Sequence, residues 1–275
     1  MRKWQNTILS LNSTMKFLMA NRRSWLLLMM MSCSSFFCIA QLVSSSNAHS
    51  HNDYEQQRPF ALAYENGFGS IEADIWLKDG LLVVAHDAKD IDPKKTLSAL
   101  YLDPLAKRTA ENKGKVYADG KKELQLLIDI KSDAKAALNA LVTVLEKYPS
   151  LIHNKKIRFV ISGNRPQPTD YLNYPSFIFF DGRPAEQYDK KALKKVGLIS
   201  ENYYKFAMWN GKGEIAANQR AALLSVINKA HEMGKLFRFW ATPDTEDSWK
   251  LFMELGVDYI NTDKVEALAS FLKRK

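Results

Sequence analysis

Ser70-Ile71-Glu72-Ala73-Asp74-Ile75-Trp76 decides how this chain is built. In an extended strand successive side chains alternate faces, so Glu72 and Asp74 share one face while Ile71, Ala73 and Ile75 share the other. The pattern returns in Leu127-Ile128-Asp129-Ile130-Lys131, where Asp129 and Lys131 face one way and Ile128 and Ile130 the other. Strands with an apolar face toward helices and carboxylates on the opposite face are what a closed parallel barrel with a polar mouth requires.

Working outward, strand-length apolar runs occupy 70–76, 81–85, 124–130, 156–162, 176–180, 196–200, 235–240 and 257–261, with a short first strand expected just before His51. Helical periodicity fills 133–148, with Ala134, Ala137, Leu138, Leu141, Val142 and Leu145 on one face, and then 215–233, 245–255 and 264–272. Ser132 or Asp133 can cap the first of these, and Gly234 and Gly256 stop the next two. Asp79-Gly80 makes 81–85 a hairpin return, leaving eight strand–helix units. That count predicts an α/β fold of the TIM (β/α)8 barrel type. Residues 87–122 are polar, Lys-rich and the least periodic, and read either as an ordered excursion over one barrel mouth or as a mobile loop.

The 275 residues carry a net charge of +9 and are 46% hydrophobic, ordinary for a globular chain. Arg22-Arg23, the apolar run from Trp25 to Met31 and small residues near Ala40 predict a secretory signal peptide over 1–40, and export to the periplasm or the extracellular space. An uncleaved anchor, or lipidation at Cys38, are the other readings of this segment. The rest, 41–275, is expected to be a single domain. Arg2, Lys3, Lys16, Arg22 and Arg23 lie in the leader with no acids, so the remaining chain carries only +4. The basic balance is therefore no argument for nucleic-acid binding. Cys33 and Cys38 also lie in the leader, so 41–275 needs no disulfide.

The chemistry concentrates in His49-Ser50-His51-Asn52-Asp53, Glu72-x-Asp74, Asp79-Gly80 and Ala85-His86-Asp87, joined by Asp129-x-Lys131. Three inward carboxylates on neighbouring strands form a hard-oxygen site suited to one divalent cation, Ca²⁺ or Mg²⁺. His51 and His86 would lie at the same mouth as proton carriers, and Lys131 adds a fixed charge. That set suits attack at a phosphorus centre. His49 reads as a flanking residue, and His153 and His231 as surface residues near helix ends.

Glu72-x-Asp74, Asp79-Gly80, Val83-Val84-x-His86-Asp87 and Asp129-x-Lys131 resemble the motif series of the glycerophosphodiester phosphodiesterases, within the phosphatidylinositol-specific phospholipase C-like superfamily. Phe239-Trp240 and Gly256-Val257-Asp258-Tyr259-Ile260-Asn261-Thr262-Asp263 resemble the family's last two strands. The resemblance runs from His49 to the C-terminus and implies a TIM barrel with Glu72, Asp74 and Asp129 as metal ligands and His51 and His86 as the acid–base pair. Two departures stand out. The family's usual His-Arg-Gly is His51-Asn52-Asp53 here, removing the phosphate-binding arginine and leaving Asn52 and Arg58 as candidates for its work. The third ligand is Asp129 where Glu is usual. The opening His49–Tyr54 and Leu97-x-x-Leu100-Tyr101-Leu102 are more similar to the uncharacterised branch that includes the altered-inheritance-of-mitochondria proteins.

The expected function is metal-dependent hydrolysis of a phosphoric diester, a glycerophosphodiester or a phospholipid-like headgroup, with Lys131, Asn52, Arg58 and Trp240 binding substrate. Trp240 can equally serve as an aromatic core residue. Expected partners are a small-molecule or lipid-headgroup substrate and transient contact with a membrane surface, with no nucleic acid and no obligate protein partner. Two alternatives stay open: a secreted barrel that binds phosphorylated ligands or glycans without turnover, and an amidohydrolase- or PHP-like metal hydrolase opened by His49-x-His51.

Overall fold

The computed structural model describes residues 44–274, so the predicted leader lies outside the described residues. Eight parallel strands wind in the order β8-β7-β6-β5-β4-β2-β1-β9. They are β1 (Ala48–Ser50), β2 (Ser70–Lys78), β4 (Leu124–Ile130), β5 (Ile157–Gly163), β6 (Ile178–Gly182), β7 (Val196–Asn202), β8 (Leu236–Trp240) and β9 (Ile260–Thr262). The hairpin return β3 (Leu81–Val84) pairs antiparallel with β2 alone. A parallel bridge between Arg238 and Tyr259 joins β8 to β9 and nearly closes the ring. This is the TIM barrel that the alternating carboxylates predict.

Helices α1 (Ala61–Glu65), α2 (Asp103–Glu111), α3 (Ala134–Leu145), α4 (Pro149–Ile152), α5 (Lys190–Lys194), α6 (Ala217–Glu232), α7 (Glu246–Leu255) and α8 (Val265–Lys273) surround the strands. Ile71, Ala73, Ile75, Ile128, Ile130, Phe159 and Ile161 are fully buried in the core cluster that they share with Leu138, Leu141, Leu223, Ile227, Leu268 and Leu272 of the helices. The 133–148 prediction ends early, because Pro149 disfavours helical backbone at Tyr148, which sits at φ −118° and ψ 63°. Asp133 caps α3 by accepting from the Ala136 N–H. The 87–122 excursion is ordered. It buries Leu97, Tyr101, Leu102 and Leu105 in the main core, and Tyr148 donates to Asp103 to tie it to the neighbouring helix layer. Among the described residues no helix is long and apolar enough to cross a membrane.

The lumen divides into an apolar plug and a polar mouth. Leu127, Val160 and Leu198 are fully buried with Phe179, Leu236 and Tyr259 packed against them. One pleat further along the same strands the inward positions become Asp129, Ser162, Ser200 and Arg238. The plug therefore supports a polar cavity at the C-terminal ends of the strands, where barrel enzymes carry their chemistry.

Candidate active site

A cavity of ≈ 490 Å³ opens at that mouth, lined by His51, Asn52, Glu72, His86, Asp129, Lys131, Ser162, Gly163, Asn164, Arg183, Arg238 and Trp240. The strand register builds its floor. Asp74 pairs across β2–β4 with Asp129, and Asp129 pairs across β4–β5 with Ser162, so three adjacent strands offer polar groups at one level. One ligand oxygen from each of Glu72, Asp74 and Asp129 lies within 4.8 Å of the others.

Three carboxylates this close repel one another unless a cation stands among them. Burial, and then the Glu72 charge, raises Asp74 above the usual carboxylate range. Burial lifts Asp129 to about 7 against the pull of Lys131, with Glu72 and Asp74 adding to the rise. Lys131 Nζ lies 3.0 Å from Asp74 Oδ2 and 3.3 Å from Asp129 Oδ1, supplying one compensating charge. It does not satisfy the cluster: Asp74 Oδ1 is buried with no hydrogen-bond partner. An orphaned carboxylate oxygen in an all-oxygen donor set fits a hard divalent cation. Gly163 makes room, since a Cβ there would stand 2.0 Å from Asp129 Oδ1 on a backbone of φ 67°.

Glu72 is held differently. Its Oε2 accepts from Arg238 Nη1 at 2.8 Å and lies 2.8 Å from His49 Nε2, while His49 Nδ1 meets Ser70 Oγ at 2.7 Å. Burial alone would raise its carboxyl, but Arg238 and His49 outweigh burial and hold it below the usual range. Burial, reinforced by Arg238, pulls His49 down to about 4, so His49 is neutral near pH 7, and its Nε2 lies against both the Arg238 guanidinium and the Glu72 carboxylate. His49 is thus no flanking residue: fully buried, it orients one of the candidate ligands.

His51 projects beside this group. Its Nδ1 meets Asp263 Oδ1 at 2.7 Å and its Nε2 stands 3.9 Å from Glu72 Oε1. Burial works against its charged form, yet the Asp263 hydrogen bond and the Glu72 charge prevail and raise its pKa above the ordinary value. His86 follows β3 and also lines the cavity, exposed, with Nδ1 3.5 Å from Asp87 Oδ1. Asn52 adopts left-handed backbone at φ 44°, and its side-chain oxygen lies 3.0 Å from the Tyr54 hydroxyl, which is 2.8 Å from Asp74 Oδ2. Asp53 turns away from the cavity. Buried completely, it accepts from Ser50, from Tyr101 and from the Phe60 N–H, pinning the loop that presents His51.

The structure brings together His51, His86, Glu72, Asp74, Asp129, Lys131, Asn52 and Trp240. It leaves out Arg58, whose guanidinium pairs with Glu65 at 2.8 Å on the exposed surface. The arginines that reach the cavity are Arg238 and Arg183. Arg183 binds Asp181 Oδ2 at 2.9 Å, and that carboxylate also accepts from Ser162 and Ser200. A bulge between Phe180 and Asp181 in the β6–β7 ladder sits at this acid. An inward charge in Leu236-Phe237-Arg238-Phe239-Trp240 or Phe179-Phe180-Asp181-Gly182 was available to the same alternation rule that found Asp129.

The AIM6-like phosphodiesterase domain model matches residues 38–157 of this chain. The similarity is to AIM6-like phosphodiesterases. That match contains both histidines, the three carboxylates and Lys131. The glycerophosphoryl diester phosphodiesterase family model matches 237–266, the segment carrying Arg238, Trp240 and Asp263. Altered inheritance of mitochondria protein 6 of Eremothecium gossypii is 28% identical, covering 82% of this chain and 69% of that protein. Its Kluyveromyces lactis counterpart is 27% identical over 82% of this chain and 72% of that protein. Among solved structures, a glycerophosphodiester phosphodiesterase from Parabacteroides distasonis shares the fold at a TM-score of 0.52 and 17% identity, covering 83% of this chain and 97% of that one. Thus the chain is similar in sequence to AIM6-like phosphodiesterases and shares its barrel fold with that solved structure.

Proposed function

We propose that the cavity hydrolyses a phosphoric diester, of glycerophosphodiester or phospholipid-headgroup type, with one divalent cation held by Glu72, Asp74 and Asp129. The observation that carries this reading is the buried Asp74 Oδ1, left without a partner inside a carboxylate triad that faces two histidines and a lysine. Bound Mg²⁺ or Ca²⁺ would supply charge neutralisation and polarisation of the phosphate.

The remaining work falls to the chain's own side chains. Asp263 accepts the hydrogen bond of His51 Nδ1–H, so Nε2 is the atom that exchanges protons with substrate. His86, in the lining of the same cavity, handles the second proton transfer, and together the two serve the entering nucleophile and the departing alcohol. Lys131 holds a fixed positive charge beside the triad. Arg238 and Arg183 supply the guanidinium charge that position 52 lacks, with Arg238 anchored by Glu72 and Asn261. Asn52 and Trp240 contact the substrate at the rim. Amidohydrolase-type chemistry is less well supported, because the candidate metal group among the described residues is all carboxylate.

A panel of glycerophosphodiesters assayed for alcohol release tests this reading. His51→Ala and His86→Ala are each expected to lower kcat by roughly 100-fold or more. Turnover that survives in both variants would remove the acid–base assignment, and no turnover of any diester by the wild type would favour the alternative of a binding barrel.

A further inference from the structure

The barrel has a second concavity, at the end remote from the catalytic mouth. It encloses ≈ 570 Å³ among the N-terminal ends of β5, β6, β7 and β8. Its floor is apolar: Phe179 and Leu236, the underside of the lumen plug, with Phe177 beside them. Its rim carries Lys155, Arg158, Lys194 and Lys235, and no carboxylate lines it. Arg158 reaches Glu123 at 3.4 Å, but that acid lies closer, at 2.9 Å, to Lys156. Lys235 Nζ donates to the Val196 carbonyl, and burial, with Arg158 nearby, lowers its pKa. Lys155 and Lys194 are exposed and have no ion-pair partner among the described residues.

We propose that this face docks on an anionic phospholipid surface, phosphate headgroups meeting the four cations and the apolar floor taking lipid carbon. Two features favour a lipid occupant. The charges come from three separate segments, at the starts of β5, β7 and β8, whereas a single small anion is held by donors that converge on it. An aromatic and aliphatic floor gives no purchase to a free phosphate but suits an amphiphile. Docking in this way leaves the catalytic cavity open to water. On the phosphodiesterase reading given above, substrate then arrives from solution as a headgroup diester and is not drawn from the bilayer that holds the protein.

Flotation of the full chain with vesicles of phosphatidylcholine, and with vesicles containing added phosphatidylglycerol, tests the docking independently of any enzymatic activity. Binding is expected to rise with anionic lipid and to be reversed by salt at about 0.5 M, where screening confines charge effects to a few ångströms. Each lysine near an anionic surface contributes about fivefold, so Lys155→Gln/Lys194→Gln/Lys235→Gln should lose roughly a hundredfold in anionic-vesicle affinity. Lys155→Gln/Lys194→Gln, which alters only exposed side chains, should lose at least roughly tenfold. Equal binding to both vesicle types, or an unchanged double variant, would overturn the proposal. So would stabilisation by inorganic phosphate that depends on these lysines without any vesicle preference, since that result describes a small-anion site.

Discussion

At the scale of single residues, the candidate site is a balance of buried charges in which each partner is placed by a neighbour. Arg238 and Glu72 show this most directly. Both are buried, and removing the guanidinium takes from Glu72 the cation at 2.8 Å, leaving the neutral His49 ring at hydrogen-bond distance and His51 Nε2 3.9 Å away. Arg238→Met should therefore destabilise the fold by about 3–5 kcal/mol, measured by urea unfolding, and lower turnover as well. A loss below about 1 kcal/mol would mean Glu72 is satisfied without it. Gly163→Ala places a methyl on Asp129 Oδ1 and strains a left-handed backbone, so cation affinity should fall by roughly tenfold or more while the strain itself costs about 1 kcal/mol. Lys195 titrates away from the site. Burial lowers it to about 8 from the ordinary 10.5, so the folded protein loses this proton before the unfolded chain does. Below about 8 the cost of the buried charge is fully present, and it is relieved as pH climbs to 10.5. Wild type should gain stability relative to Lys195→Met across that window, and parallel pH–stability curves would contradict the shift.

At the scale of elements, alternation in β2 and β4 made the carboxylates legible, because a charged residue between isoleucines can face only one way in a buried strand. The same rule applied to β6 and β8 would have given Asp181 and Arg238; their strands lacked a second charge on the strand face to draw notice. Ser162, Ser200 and Ser70 carried no signal, since a lone serine in a strand is common and its partner lies on another strand. Arg58 was read as a site residue from proximity in sequence, whereas the turn at residues 52–60 carries it to the surface against Glu65. Strand ends were read short at Gly163, Gly182 and Asn202, where the backbone ladder continues after the apolar side chains stop. Helix limits followed capping chemistry. Asp133→Ala should cost about 1 kcal/mol in thermal unfolding and leave turnover unchanged, because α3 supports β4 from outside the lumen.

For the molecule as a whole, the apolar plug of the lumen makes two mouths of opposite character. One gathers carboxylates, histidines and arginines; the other presents cations and no carboxylate over an apolar floor. The first is where a divalent cation must bind if the phosphodiesterase reading is right, and binding to the folded state alone should stabilise it by about 2.7 kcal/mol at a cation concentration 100 times Kd. The most direct test is turnover of bis-p-nitrophenyl phosphate by EDTA-stripped protein before and after addition of Mg²⁺ or Ca²⁺, measured side by side with Asp74→Asn. The expected result is negligible turnover when stripped, recovery in the wild type with at least one of the two cations, and no recovery in Asp74→Asn. Full activity in EDTA, or equal recovery by Asp74→Asn, would contradict the carboxylate triad as the metal centre of a phosphodiesterase.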